Sequence, residues 1–299
     1  MPRDSLAGRT IAGYHLLERV GEGGTAEVYR AQHPAHGLCA FKVLRARLRG
    51  DPTAVTRFLR EASYGARINH PGVVRTYDYG AADGEQYLAL EWAEGEPLAD
   101  YAHREGPLAP SLVGELVTQL ADALTAAHGA GIIHRDLKPE NILYDTRTRR
   151  TKLLDFGIAR DADLAPEERL TRTGFFVGTL QYVAPEALSG ELVDARADIY
   201  SLATITYYLL TVRHPFTGRS PRELFQQLLT ESPIPLGRAV PGLSFPAGLA
   251  DAVMRGLARD PAQRQPTVAA LAADVAAGVE AVPQPSTGGL FGLLKRNRS

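Results

Sequence analysis

Between Tyr14 and Val43 the chain runs as short apolar stretches broken by glycines: "YHLLERV", "AEVYRAQH" and "LCAFKVL". Runs of that kind predict β-strands. The spacing changes after Asp51-Pro52-Thr53, where a capping residue followed by proline predicts a helix start. "TAVTRFLREASYGARI" then carries apolar residues at helical intervals and stops at Asn69-His70-Pro71. Two further strand-like runs follow, "VVRTYDYGA" and "EQYLALEW". From Gly95 onward the pattern is mostly helical. Helices are predicted over Leu112 to His128, closed by Gly129 and Gly131, and over Ala195 to Thr211, Pro246 to Leu257 and Thr267 to Ala277. Strands first and helices afterwards predict an α+β protein with segregated lobes and a seam near Glu91 to Gly95. Residues 1–13 read as a loose arm. The end, "VPQPSTGGLFGLLKRNRS", reads as a flexible tail with a basic tip. There is no internal repeat.

Composition narrows the class. The 299 residues are 44% hydrophobic, ample for a large core. The net charge of −1 gives no reason to expect nucleic-acid binding. One cysteine, Cys39, rules out an internal disulfide framework and suits a reducing compartment. The most apolar helical run, Ile199 to Val212, is shorter than the ~20 residues that span a bilayer. No charged-then-apolar leader opens the chain. The expectation is a cytoplasmic protein, or the cytoplasmic part of a longer one. Frequent Ala and Arg fit a GC-rich bacterial genome.

The chemistry concentrates in "IIHRDLKPENILYDTRTRRTKLLDFGIAR", Ile132 to Arg160. Moving a phosphoryl group from ATP to a hydroxyl needs charge neutralised and reactants aligned. Magnesium prefers carboxylate and amide oxygens. A carboxylate must face the attacking hydroxyl, and a cation must sit near the transferred phosphate. Asp136, Lys138, Asn141 and Asp155 supply those groups. The flanking runs "GII", "NIL" and "KLL" predict short strands that fix a loop between them. Elsewhere there is no G-x-x-x-x-G-K-[ST], H-E-x-x-H, G-x-S-x-G or paired C-x-x-C. His128 and His134 make a poor metal pattern.

From Tyr14 to Val279 the sequence closely resembles the eukaryotic-like, or Hanks-type, Ser/Thr protein kinases of bacteria. The resemblance implies a bilobal protein-kinase-like fold over 14–279: a small β-rich lobe (about 14–91) with one main helix, and a larger helical lobe (about 95–279). Residues 1–13 and 280–299 would be arm and tail. In "HRDLKPEN", Asp136 would orient the substrate hydroxyl, Lys138 would neutralise the γ-phosphate and Asn141 would hold one metal ion. Asp155 of "DFG" would hold the metal that bridges the phosphates. In "GEGGTAEVY", Gly21, Glu22, Gly23 and Gly24 would cover the phosphates, with Ala26 replacing the third glycine of the pattern. Lys42 of "CAFKVL" would bind the α- and β-phosphates and pair with Glu61. Adenine would bond the backbone of Glu91 and Ala93, beside Leu90 as gatekeeper, between Val28, Ala40 and Leu143. Trp92 reads as a core anchor and Cys39 as packing. The implied cofactors are ATP and Mg²⁺, with Mn²⁺ as an alternative.

The same resemblance makes Phe156 to Glu186 an activation segment. Glu186 of "APE" would pair with Arg264 in "DPAQRQPT", and Asp198 would anchor the catalytic loop from beneath. Thr179 would bridge Asp136 and Lys138, while His134, Phe156 and Gly157 would be structural. Arg135 would read a phosphate on Thr171 or Thr173. Four residues after Glu61, Gly65 stands where relatives place an apolar side chain, which predicts a loosely held helix. The function implied is a Ser/Thr protein kinase acting on protein substrates and activated by autophosphorylation. A catalytically weak kinase-fold signalling scaffold is the alternative, and the peptide-seating elements argue against a small-molecule kinase. A homodimer through the small lobe, and weak membrane contact by the tail, are further expectations; nucleic acid is not expected as a partner.

Overall fold

The computed structural model describes residues 6–155, 180–189 and 193–280. Six strands form one antiparallel sheet: β1 (Thr10–Ile11), β2 (Tyr14–Glu22), β3 (Ala26–His33), β4 (Gly37–Leu44), β5 (Thr76–Ala82) and β6 (Glu85–Glu91), in the order β1-β2-β3-β4-β6-β5. Side chains alternate across it, and each face has its own small core. One holds Ile11, Tyr14, Tyr29, Phe41 and Tyr87. The other packs Ala26, Leu44 and Leu88 against Phe58 and Ala62 of α1 (Pro52–Gly65). Asp51 caps that helix, its carboxylate accepting from Thr53 N at 2.9 Å and Ala54 N at 3.3 Å, with Pro52 at the first position.

Two expectations are corrected here. The arm is not loose from residue 6 onward. Thr10 and Ile11 pair with His15 and Tyr14, and Ile11 is fully buried, because an apolar residue beside a hairpin turn completes a sheet face. Gly65 is the last residue of α1 rather than an interior one, so the glycine penalty of a helix interior does not apply. Helix α1 is docked through Glu61, as the site geometry shows.

A three-stranded sheet lies at the seam: β7 (Glu96–Pro97), β8 (Ile142–Asp145) and β9 (Arg150–Leu153), ordered β7-β8-β9. "NIL" and "KLL" thus contribute to strands, whereas "GII" lies in a non-strand connection. Leu153 N donates to Gly72 O at 2.8 Å and Val74 N to Leu153 O at 2.9 Å, joining β9 to the loop after α1.

The second lobe holds α2 (Leu98–Glu105), α3 (Pro110–Gly129), α4 (Pro185–Ser189), α5 (Arg196–Thr211), α6 (Pro221–Thr230), α7 (Ala247–Gly256) and α8 (Val268–Glu280). Helix α8 carries the fold one residue past the predicted boundary at 279. Fourteen of the 16 residues of α5 are buried, so it is the central pillar. Its threonine hydroxyls are satisfied within the helix: Thr204, Thr206 and Thr211 donate to the carbonyls four residues back at 2.7–2.9 Å. No helix among the described residues is long and apolar enough to cross a membrane. The tail beyond Glu280 lies outside the described residues.

Candidate active site

Lys42 sits in the middle of β4, paired with Val28 on one side and Leu88 on the other. Its Nζ lies 3.1 Å from Glu61 Oε1 of α1 and 2.8 Å from Asp155 Oδ2, just beyond β9. One ammonium therefore joins carboxylates from both lobes. Enclosure disfavours the charged lysine, but Asp155 and Glu61 outweigh it and hold its pKa above the usual value. Enclosure also raises the Asp155 carboxyl, and Lys42 overrides it with help from His134 and Lys138, so the net shift is downward. For Glu61 the balance falls the other way: burial outweighs Lys42, with Asp155 and Asp136 adding repulsion, and its pKa is raised.

Asp136 is held by two neighbours. Asn141 Nδ2 donates to its backbone oxygen at 2.9 Å and to Oδ2 at 3.1 Å, and Lys138 Nζ lies 3.3 Å from Oδ2. Leu154 N donates to Asn141 O at 2.9 Å, which fixes the span to Asp155. The loop needs Arg135 in the left-handed region, φ +62°, a costly state for a side chain of that size. Asp198, fully buried on α5, holds it there by accepting from His134 N at 2.9 Å and Arg135 N at 3.0 Å. His128 Nε2 lies 2.7 Å from the same carboxylate, a role that sequence spacing concealed because the partner is 70 residues away. His134 is itself fully buried; desolvation lowers its pKa, against the pull of Asp198, Asp136 and Asp155.

The glycine-rich turn joins β2 and β3, with Gly21 opposite Val28 and Glu22 opposite Glu27. A Cβ at Gly24 would meet no protein atom within 4 Å, so the turn is open there. Val28, Ala40, Leu90 and Leu143 are all half-buried, and Ala40 pairs with Leu90 across β4 and β6. Glu91 N donates to Arg75 O at 2.8 Å, and its carboxylate binds Lys152 of β9 and accepts from Arg75 N at 3.2 Å. The Lys152 contact ties the lobes together beside Ala93 and was not legible in sequence. Trp92 is half-buried and donates from Nε1 to Glu94 at 3.2 Å; it is no core anchor. Cys39 is buried packing, its thiol pKa pushed up by burial.

Glu186 and Arg264 form the expected buried pair, with both nitrogen–oxygen contacts at 2.7 Å. Gln265, which interrupts the familiar Arg-Pro sequence, is fully buried and donates to Ala252 O at 3.0 Å. Phe156, Gly157, Thr171, Thr173 and Thr179 lie outside the described residues.

A family model described as "Protein kinase domain" matches residues 14–272. "Serine/threonine-protein kinase PknB" of Mycobacterium tuberculosis (strain ATCC 25618 / H37Rv) is 42% identical over 267 residues, covering 88% of this chain and 42% of that protein. "Serine/threonine-protein kinase pkn3" of Myxococcus xanthus is 39% identical, covering 92% of this chain and 51% of that protein. The chain thus spans about half the length, or less, of these curated relatives. The crystal structure of the Mycobacterium tuberculosis PknI kinase domain superposes with a TM-score of 0.71 at 30% identity, covering 91% of this chain and 98% of that one.

Proposed function

The chain belongs to the protein kinase domain family, and from that premise we propose that it is a Ser/Thr protein kinase, moving the γ-phosphate of ATP onto hydroxyls of protein substrates. The observation that carries this reading is the meeting of Lys42, Glu61 and Asp155, at 3.1 and 2.8 Å. An ammonium held between carboxylates of both lobes is poised for the α- and β-phosphates. Asp136, positioned by Asn141 and Lys138, accepts the proton of the attacking hydroxyl. Lys138 places positive charge beside the group in transfer. No required group is missing, which disfavours the inert-scaffold alternative.

The donor set fits a hard divalent cation, Mg²⁺ or Mn²⁺. Asn141 uses its amide nitrogen on Asp136, leaving the amide oxygen, and Asp155 uses Oδ2 on Lys42, leaving Oδ1. Among the described residues no group of three or more His, Cys, Asp or Glu side chains could hold a metal. Asn141 and Asp155 would therefore share the ion with nucleotide phosphates and water. When bound, the ion would neutralise charge on the phosphates.

Arg135 Nε is buried with no hydrogen-bond partner among the described residues, which supports a phosphate on Thr171 or Thr173 as its mate. One experiment tests both readings. Radiolabelled ATP is supplied with a divalent cation and a generic basic protein, and labelled sites are mapped by mass spectrometry. Wild type should label serine or threonine on that protein, and Thr171 or Thr173 on itself. Asp136→Asn should lose about 100-fold or more of the rate while still binding nucleotide. Equal transfer by both proteins, or none by wild type, would defeat the assignment.

A further inference from the structure

Next to the glycine-rich turn, whose Gly23 and Gly24 carbonyls accept from Arg45 and Arg47, a cavity of about 520 Å³ opens between the N-terminal arm and the loop joining β4 to α1. Val43, Leu44 and Leu6 give it an apolar floor. Its charged lining is Arg9, Arg45, Arg47 and Arg49 against Glu27 and Glu85, a surplus of two positive charges. Adding Arg19 and Glu22, which pair with these groups, leaves the surplus at two.

The partners show where that surplus lies. Glu85 is only 3% exposed and takes Arg49 at 2.5 Å and Arg9 at 3.9 Å. Glu27 accepts from Tyr29 Oη at 2.8 Å and lies 3.6 Å from Arg19. Arg45 is matched to Glu22 and also donates to Gly23 O at 3.0 Å. Arg47 is exposed, and its bond goes to the carbonyl of Gly24, a neutral acceptor that leaves its charge uncompensated. Arg49 Nε is buried without a hydrogen-bond partner. One guanidinium with uncompensated charge, Arg47, and one with a buried, unbonded Nε, Arg49, thus flank one apolar-floored cavity.

We propose that this cavity is a binding site for a phosphomonoester dianion, held by Arg47 and Arg49, with its organic stem on Val43, Leu44 and Leu6. A phosphate monoester carries about −1.5 to −2 charges at neutral pH, which matches the surplus, and arginine forks suit its oxygens. The volume exceeds what free phosphate needs and falls within the ~300–1,000 Å³ of ordinary ligand sites. Occupancy draws Arg47 from Gly24 O and so alters the turn that covers the nucleotide; this consequence rests on the kinase reading, whereas binding itself does not.

The test is calorimetry at low salt with the nucleotide cleft saturated by a non-hydrolysable ATP analogue. Phenyl phosphate, inorganic phosphate, and a phosphoserine peptide with its unphosphorylated twin are compared. Wild type should bind phenyl phosphate more tightly than inorganic phosphate. The phosphopeptide arm distinguishes a phosphorylated protein from a small metabolite as the source. Arg47→Gln/Arg49→Gln should weaken binding at least tenfold. Arg47→Gln alone, an exposed change, should weaken it at least threefold and carries the test if the double variant is unstable. Phenyl phosphate should also shift the KM for ATP in wild type and not in Arg47→Gln. Equal binding by wild type and Arg47→Gln overturns the site. No binding by a protein that still transfers phosphate overturns it too and leaves the kinase reading standing. Binding without transfer has the opposite meaning: the site holds and the kinase reading falls.

Discussion

At the scale of single residues, burial and partners decide which groups are charged. Lys42 stays cationic in a tight place because two carboxylates reach it. His214 has no such help. Its ring stacks on Tyr208 at 5.0 Å, meets Tyr182 edge-on at 5.4 Å, and its Nε2 lies 3.0 Å from the Tyr182 hydroxyl. Burial pushes its pKa down to about 4. The unfolded chain takes up this proton near pH 6.5, so between about 6.5 and 4 it binds more protons than the folded one. Stability should therefore fall as pH drops through that window, by at most about 3 kcal/mol from this residue. His214→Gln keeps a polar partner for Tyr182 and should flatten the dependence of Tm on pH between 4 and 6.5. An unchanged slope would remove His214 from the acid response.

At the scale of elements, the seam depends on close backbone approach. Gly95, between β6 and β7, has φ +120°, and a Cβ there would lie 2.7 Å from Tyr144 O and 2.9 Å from Asp145 N. Those atoms belong to β8, which leads out of the catalytic loop, so they cannot yield without moving it. Gly95→Ala should lower stability by about 1–3 kcal/mol, read as a lower urea midpoint, and reduce phosphate transfer. Full stability and activity in this variant would show the seam to be soft. Helix α1 was legible from Asp51, Pro52 and its apolar spacing; its docking was not, since that depends on Lys42 arriving from another element. The short β1 was missed because two residues make no periodicity, and only burial of Ile11 reveals it.

At the scale of the whole molecule, contacts distant in sequence hold the frame. Arg264 joins α4 to the chain before α8 through Glu186, 78 residues away, and donates to Arg196 O and Ala258 O at 2.8 Å. Removing one member of a buried pair leaves an uncompensated charge, at a cost of about 3–5 kcal/mol. Arg264→Met should lose that much in denaturant unfolding. Glu186→Gln/Arg264→Met should lose less than the two single changes added together. Additive losses would mean that the pair is not coupled.

The sequence alone determined the α+β division into lobes and the seam near Gly95, and it singled out Lys42, Glu61 and Asp155, which the structure brings together. Apolar periodicity and a tightly spaced motif such as that from Asp136 to Asp155 are local properties of the chain. It did not reveal that His128 shares Asp198 with the catalytic loop, that Lys152 ties to Glu91, or that Arg45 and Arg47 grip the glycine turn. Tertiary structure decided these contacts, because each joins residues whose separation along the chain carries no signal until packing brings them within hydrogen-bonding reach.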